Sequence, residues 1–407
     1  MLRKISGEPI QKGFFIVFIL LFNTFVWFYL TLTIIDNVLS DLSVTHAQNL
    51  IIWTAYYGAI IISSIVGSFL SSKISRRNLL YFWIILGVLA SSLPALLVNS
   101  TVISIGIVCG LLGVSFGLGM PSCLAYFADW TLIENRGRSG GIIFFISNLI
   151  APLFAILFRM FNLITNSIFF TSWRAIGLIT FFVSPEEKIV SETKNNASFM
   201  SILREKSFLL YFVAWLMFCL IDSFERPILE PFFGDFFYLI LMIGPIIGSL
   251  SAFIAGLLSD WIGRKRVVLY GFATLGIGYG IISLAPATMI SWYFYLAIDS
   301  ITTGILWVTF VLILWGDLSE YGAREKYYAI GGFPYFLTYI VQLLSAPYVM
   351  LIPETSVFSI AAFFLFLAVL PLLYAPETLP EKKIELRRLR SYVEKAKEVK
   401  EKREGKV

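Results

Sequence analysis

Gly256-Leu-Leu-Ser-Asp-Trp-Ile-Gly-Arg-Lys-Arg266 is the stretch of sequence that decides the fold. It joins two apolar runs, each long enough to cross a bilayer. A carboxylate and three consecutive cations are costly in hydrocarbon, so a tight loop at a membrane face is predicted. Its positive charge places that face in the cytoplasm. We expect Asp260 to pair with Arg264 or to face the N-terminal end of a neighbouring helix, and Gly263 to reverse the backbone.

The same kind of loop recurs at a fixed interval in the first half of the chain. Arg76 there takes the place that Arg264 has in the second half. The interval between these two arginines also separates the Ala128-Asp129 pair from the Gly316-Asp317 pair, and Arg136 from Arg324. Chance does not readily give two loop types at one shared interval. They indicate two homologous halves of a parallel repeat.

The motif Gly-x-Leu-x-Asp-x-x-Gly-Arg-Lys resembles the signature loop of the major facilitator superfamily, which joins helices 2 and 3 and recurs between helices 8 and 9. The resemblance implies an all-α membrane protein with twelve transmembrane helices in two six-helix bundles. The first copy is degenerate, because Ser72 replaces the aspartate and Ser75 replaces the second glycine. Pro185-Glu186 and Pro376-Glu377-Thr378 resemble elements of the sugar-porter branch, although that branch's Gln-Gln motif in helix 7 is absent.

The composition agrees with a multi-pass membrane protein. The chain is 58% hydrophobic and only 14% charged, whereas soluble domains average about 25% charged residues. Apolar runs predict spans over 13–36, 47–71, 79–98, 101–127, 139–160, 163–183, 207–228, 235–258, 267–286, 289–315, 328–350 and 356–375. They group into an N-terminal bundle (1–183), a cytoplasmic linker (184–206), a C-terminal bundle (207–375) and a charged tail (376–407).

Basic residues set the predicted orientation. They concentrate in alternate connections, so both termini are expected in the cytoplasm and the protein in the cytoplasmic membrane. By resemblance, acidic–Arg elements beside the signature loops form a cytoplasmic gate that holds the halves together. The gate residues expected here are Asp260, Gly263, Arg264, Lys265, Arg76, Arg77, Glu134, Arg136, Glu320 and Arg324.

Ionisable residues inside predicted spans are the main candidates for function, because each costs about 2.5–3.5 kcal/mol to insert. In the family, helices 1, 4, 7 and 10 line the central cavity, which places Asp299 and Asp222 on cavity helices. Asp299 is interpreted as a substrate contact or proton carrier; the alternative is a structural pair with Arg226 or Arg174. Asp222 and Arg226 are four residues apart and are predicted to pair. For Arg174, either its helix starts early or its side chain snorkels outward.

Uncharged polar and aromatic residues form a second set. Each is individually more typical of packing or interfacial anchoring, but together they would suit a polar organic solute in one cavity. They are Asn23, Trp27, Tyr56, Asn148, Trp307, Tyr335, Tyr339 and Gln342. Gly110, Gly113 and Gly117 of the fourth span are expected to share a packing face.

Several classes of function are disfavoured by the sequence. The single histidine, His46, excludes a histidine-based metal cluster or triad, and no Gly-x-x-x-x-Gly-Lys phosphate loop is present. We therefore expect no enzyme, no metal, no cofactor and no nucleic-acid partner. The expected protein is a monomer in the bilayer that moves a small solute, with a proton gradient as its energy source.

The direction of transport is predicted from two departures from the pattern of drug–proton antiporters. The fourth span lacks the arginine that is typical of drug–proton antiporters, and their Gly-Pro-x-x-Gly is reduced to Ala151-Pro-Leu-Phe-Ala155. Proton-coupled uptake of a small polar solute is favoured. The alternatives are a proton-antiporting exporter of drugs or metabolites, and a membrane sensor that does not transport.

Overall fold

The regular structure of the described residues is helical. The computed structural model describes residues 14–182, apart from 43 and 99, and residues 197–380, apart from 235, 321 and 350. Twelve long helices follow one another in these ranges: α1 (Phe14–Asp41), α2 (His46–Lys73), α3 (Arg76–Leu97), α4 (Val102–Trp130), α5 (Arg136–Met160), α6 (Leu163–Phe182), α7 (Lys206–Phe233), α8 (Phe236–Ile262), α9 (Arg264–Leu284), α10 (Met289–Leu318), α11 (Arg324–Val349) and α12 (Glu354–Tyr374).

Eleven of these helices are long and apolar enough to cross a membrane. The remaining one, α6, has 20 residues, and its polar residues include Asn166 and Arg174. Every predicted span overlaps one helix, so the predicted fold class is confirmed. The predictions for the linker before residue 197 and for the tail after residue 380 lie outside the described residues, and the domain boundaries stay a prediction.

Four arginines related in pairs by the repeat are each the first residue of a helix. Arg76 begins α3, Arg136 begins α5, Arg264 begins α9 and Arg324 begins α11. The apolar runs predicted loops at these arginines, because apolarity marks the end of the hydrocarbon and not the end of the helix. A cation at a helix N-terminus is disfavoured by the helix dipole. These positions therefore need carboxylates nearby.

Close approach of backbones fixes the packing of α2 on α4. A Cβ at Gly113 would lie 2.3 Å from the carbonyl oxygen of Tyr56, and one at Gly117 would lie 2.4 Å from that of Ile60. A side chain at either glycine would push the helices apart. A Cβ at Gly110 would meet nothing within 4 Å, so the predicted packing face was wrong for this residue.

Helices α4 and α10 are irregular at points that the repeat relates. The first α-helical segment of α4 ends at Gly117 and the next begins at Met120, with Pro121 in its first turn. In α10, residues Val308–Ile313 form a π-helical turn. The interval of the repeat carries Met120 onto Val308, so the two irregular points match. Irregular turns of this kind are sites where long helices bend.

The two halves meet along two seams, α5 against α8 and α2 against α11. At the first seam, a Cβ at Gly137 would lie 2.4 Å from the carbonyl oxygen of Gly256. Beside it, a Cβ at Gly141 would lie 3.0 Å from the carbonyl oxygen of Ala252. Small residues thus bring α5 and α8 into backbone contact at the end of the molecule that carries the signature loop.

Candidate functional site

Charged side chains cluster at the end of the molecule that carries the signature loop, and Asp317 is central to this cluster in the second half of the chain. Its side chain is fully buried, and it pairs with Arg264, whose Nε lies 3.0 Å from Oδ2. Arg136 from the other half of the chain also pairs with Asp317. Breaking a buried pair by removing one partner costs about 3–5 kcal/mol. Asp317 therefore stabilises both the fold of its own half and the contact between halves.

Asp129 repeats this arrangement in the first half. It pairs with Arg76 of its own half and with Arg324 of the other half. The two aspartates are separated by the interval of the repeat, and so are the arginines that bind them. The result is a crossed pattern in which each aspartate holds one arginine from each half.

Asp260 adds a contact of another kind. Its Oδ1 accepts a hydrogen bond of 2.9 Å from the backbone N–H of Gly137, and its Oδ2 accepts one of 2.7 Å from that of Arg138. Both amides belong to the N-terminus of α5, where a carboxylate is favoured by the helix dipole. Oδ1 also lies 2.9 Å from Nη1 of Arg264. The two partners that the sequence offered as alternatives are thus bound at once.

Gly263 and the segment after α12 complete this end. The φ angle of Gly263 is +104°, a conformation that L side chains rarely adopt, as the predicted backbone reversal requires. Glu377 lies against this glycine and accepts hydrogen bonds from the backbone N–H groups of Arg264 at 2.8 Å and Lys265 at 3.2 Å. The carboxylate of Glu377 therefore caps the N-terminus of α9.

We refer to these charged groups as the ion-pair network, which comprises Arg76, Asp129, Arg136, Asp260, Arg264, Asp317, Arg324 and Glu325. Of the other predicted gate residues, Arg77 lies over the ring of Tyr81 at 5.7 Å, and Lys265 donates to the carbonyl of Leu373 at 2.7 Å. Glu134 and Glu320 lie in the connections α4–α5 and α10–α11.

Arg174 is completely buried inside the first half. Its guanidinium lies between Trp27 and Trp83, 4.7 Å and 4.3 Å from the ring centres, and Nη1 donates to Asn23 and Thr24 at 3.0 Å each. Nε and Nη2 have no hydrogen-bond partner among the described residues. Of the two alternatives for Arg174, the early start of its helix, at Leu163, is the one observed, and the alternative of outward snorkelling was wrong.

Three carboxylates come together in the second half. One oxygen from each of Asp222, Glu225 and Asp299 lies within 4.8 Å of the others, and all three residues are half-buried. Tyr279 donates a hydrogen bond of 2.8 Å to Glu225, and Tyr295 donates to the same oxygen. Oδ1 of Asp299 is buried and makes no hydrogen bond of ordinary geometry in the described part of the chain, although the hydroxyl of Thr303 lies beside the carboxylate. We call Asp222, Glu225 and Asp299 the acidic cluster.

The predicted arginine partners of this cluster are engaged elsewhere. Arg226 makes its ion pair with Glu230, at 3.9 Å, so the predicted Asp222–Arg226 pair was wrong. Arg174 lies in the other half among tryptophans, so the alternative of a structural pair with Asp299 was also wrong. Glu225 was missed as a member of the cluster. Its spacing of three residues from Asp222 on one helix was the available signal.

Aromatic side chains join the two halves within the membrane. Tyr57 of α2 stacks on Tyr339 of α11, with ring centres 4.7 Å apart and planes at 15°. The hydroxyl groups of Tyr335 and Tyr339 lie 3.2 Å apart, and Trp307 packs edge-on against Tyr335 at 4.6 Å. These residues cross the seam between α2 and α11 and extend it to α10.

The other uncharged candidates are distributed differently. Tyr56 is fully buried beside Tyr57. Asn148 and Gln342 are half-buried. Trp27 and Asn23 contact α3 and α6 around Arg174, because the buried guanidinium needs their π face and carbonyl oxygen. The prediction of one cavity for the whole set was therefore wrong for these two residues.

No family model and no curated protein matches the chain. Solved structures do match it. The proton:xylose symporter XylE of the major facilitator superfamily, solved with 6-bromo-6-deoxy-D-glucose bound, matches with a TM-score of 0.72 at 16% sequence identity, over 91% of this chain and 97% of its own. The human organic anion transporter MFSD10 matches with a TM-score of 0.67 at 14% identity, over 90% of this chain and 100% of its own. Both likenesses extend over nearly the whole chain, so the chain has the fold of the major facilitator superfamily, and its eleven long apolar helices in the described ranges make it a multi-pass membrane protein.

Proposed function

We propose that the protein is a secondary active transporter that takes up a small polar organic solute by alternating access, driven by protons. The observation that carries this proposal is the ion-pair network. It joins the two halves at one end of the molecule, through Arg136 to Asp317 and Arg324 to Asp129. Contacts that exist in only one of two states are what set the balance between those states.

The network is built in a way that suits a gate. Of its central carboxylates, Asp317 is completely buried and Asp129 is 14% exposed, yet every partner from the opposite half belongs to the end of a helix and can move with that helix as a rigid body. Rocking of one bundle against the other would break all the crossed pairs together and expose a midplane site to this face. We therefore interpret the described state as closed at the network end.

The network end is assigned to the cytoplasm. Basic residues of membrane proteins concentrate in cytoplasmic connections, and the connections beside the network carry most of those found between the helices. On this assignment both termini are cytoplasmic and the closed gate leaves the solute site to open outward. The membrane that we propose is the cell membrane.

The acidic cluster supports coupling to protons. Three carboxylates this close together repel one another when all are ionised, and none has an ion pair with a cation among the described residues. Taking up protons relieves that repulsion. Asp299, whose buried carboxylate has the Thr303 hydroxyl but no cation beside it in the described part of the chain, is the proposed carrier, with Asp222 and Glu225 as groups that share the proton.

The solute class is inferred from the aromatic residues at the α2–α11 seam. Tyr57, Tyr335, Tyr339 and Trp307 offer ring faces and hydroxyl groups at the interface of the halves. Rings with a polar tip suit a solute with both apolar and hydrogen-bonding surfaces. XylE, described as a proton:xylose symporter, supports proton symport of such a solute, whereas MFSD10, described as an organic anion transporter, supports organic anions as an alternative class of solute.

Reconstitution into proteoliposomes tests the proposal. Thermal-shift screening first identifies ligands, since a ligand at 100 times its Kd stabilises by about 2.7 kcal/mol. Counterflow of a hit, and its accumulation when the inside is made more alkaline, would support proton-coupled uptake. Accumulation only in the opposite gradient would make the protein an exporter. Folded protein that binds ligands without counterflow would make it a sensor.

A further inference from the structure

The two seams between the halves differ in where their carboxylate comes from. At the α5–α8 seam, Asp260 at the end of α8 reaches the start of α5. The repeat places Ser72 at the matching end of α2. The Ser72 hydroxyl donates to the carbonyl of Phe69 in its own helix at 2.7 Å. The residue at this position therefore supplies no anion to the α2–α11 seam.

Arg76 nevertheless has a second carboxylate besides Asp129. Glu325, in the first turn of α11, places Oε1 2.8 Å from Nε and 2.8 Å from Nη2 of Arg76. The Glu325 side chain is 6% exposed and that of Arg76 is 14% exposed, so the pair is shielded from solvent. A charge-assisted contact made through two nitrogens is among the stronger side-chain interactions.

The repeat explains why Glu325 can stand where it does. Its counterpart in the first half is Gly137, which follows Arg136 as Glu325 follows Arg324. A Cβ at Gly137 would lie 2.6 Å from Oδ1 of Asp260 and 2.3 Å from Oγ of Ser259, so the first seam requires glycine opposite its aspartate. The second seam has a serine on α2 and a glutamate on α11. The carboxylate of the first seam thus lies on α8, whose counterpart in the repeat is α2, whereas the carboxylate of the second seam lies on the facing helix, α11.

We propose that Glu325 replaces the aspartate that the first signature loop lacks, and that its pair with Arg76 holds the α2–α11 seam closed as Asp260 holds the α5–α8 seam. This inference rests on the proposed function, because it assigns Glu325 a role in the balance between the two transport states. The replacement differs in chemistry. Asp260 binds backbone amides of the opposite half, whereas Glu325 binds the side chain of Arg76. A substitution of Arg76 would therefore remove the contact of Glu325, whereas no substitution on α5 other than by proline removes the amides that Asp260 binds.

The test measures the distance between spin labels on opposite halves. Lys73 and Arg266 are exposed at the network end, and each can carry a label after substitution to cysteine in a chain without Cys109, Cys123 and Cys219. Glu325→Gln removes the charge while keeping the side-chain shape. It should raise the ratio of long to short label distances by roughly tenfold or more, as expected for loss of a charged hydrogen bond.

The decisive variant moves the carboxylate to the family position. Ser72→Asp combined with Glu325→Gly copies the α5–α8 seam, with an aspartate four residues before Arg76 and a glycine opposite it. It should restore the wild-type distance ratio, while Glu325→Gly alone stays open. A merely structural role for Glu325 predicts no such rescue.

Two results would overturn the inference. One is a wild-type distance ratio in folded Glu325→Gln protein. The other is a swap variant that is as open as Glu325→Gly, and this outcome decides the question even where Glu325→Gln does not fold. The label distances need no solute. Absence of counterflow in the wild-type chain would therefore refute the proposed transport function separately, without affecting the interpretation of the distances.

Discussion

Asp260 and Gly137 are joined by a hydrogen bond of 2.9 Å, from the backbone N–H of Gly137 to Oδ1 of Asp260, although they lie in different halves of the chain. The contact requires both residue types. Only a carboxylate at 260 accepts two amides of α5 while pairing with Arg264, and only glycine at 137 leaves room for it. One seam of the proposed gate therefore depends on the residue types at two positions that are 123 residues apart in the sequence.

Asp260→Asn should shift the protein toward the state that is open at the network end. The amide nitrogen of asparagine would face the N–H of Gly137 or that of Arg138, and the charge that pairs with Arg264 would be gone. Hydrogen bonds to charged groups contribute about 1.5–3 kcal/mol, so a shift of tenfold or more in the population ratio is expected. Accessibility labelling of cysteines placed along the cavity measures it.

Asp41→Asn is the matched control, because Asp41 is an exposed carboxylate at the opposite end of the molecule, where α1 ends. It should leave the labelling pattern of the wild type. If Asp260→Asn labels like the control and only its melting temperature falls, Asp260 serves folding and not the gate.

Gly137→Ala should destabilise the protein. Its Cβ would meet the backbone oxygen of Gly256 at 2.4 Å, and a backbone atom cannot rotate away as the end of a side chain can. Overpacking of this kind typically costs about 1–3 kcal/mol. Gly110→Ala adds the same methyl group where nothing lies within 4 Å. Thermal unfolding in detergent should therefore show a lower Tm for the first variant only, and equal values would contradict the close seam.

Arg174→Ala should also destabilise the chain, in this case from inside the first half. It empties the space between Trp27 and Trp83 and removes a donor from the buried Asn23. Large-to-small substitutions in cores cost about 2–5 kcal/mol. Lys73→Ala, which truncates an exposed cation, is the control. An unchanged Tm for Arg174→Ala would mean that relief from burying an unpaired cation offsets the lost packing.

The fold was predictable from the sequence because each membrane helix is recognisable from the apolar residues of its own segment. Runs of apolar residues located all twelve of the long helices described, and the constant interval between matching loops identified the repeat. Gly263 and Asp260 were assigned their local roles correctly, since a backbone reversal and a contact four residues away are both properties of a short segment. Helix ends were placed too early or too late by a few residues, because helices continue beyond the hydrocarbon.

The site was predictable only in part, because its partners come from distant segments. Asp129 and Asp317 were seen as markers of the repeat and not as the carboxylates that bind the arginines. Glu325 was missed, since a charge that has moved to the facing helix leaves no trace in the degenerate loop. Glu225 was not predicted to lie beside Asp299, because the two carboxylates belong to different helices. Only the packing of α7 on α10 reveals its neighbours.

Asp299→Asn should separate coupling from transport. If Asp299 carries the proton, the amide cannot release or bind one, and accumulation driven by a pH gradient should be lost. Counterflow exchanges solute for solute and needs no net proton movement, so it should remain close to the wild-type rate. The measurement is uptake of one screened solute into proteoliposomes, with and without a pH difference.

Glu230→Gln, which alters an exposed carboxylate on α7 outside the acidic cluster, is the control and should retain both activities. Concentration of solute against its gradient by the Asp299→Asn variant would show that another group carries the proton, and Glu225→Gln would be tested next. Loss of counterflow as well, in protein that melts like the wild type, would instead show that Asp299 is needed for solute binding or for the exchange between states, because both assays require these two steps.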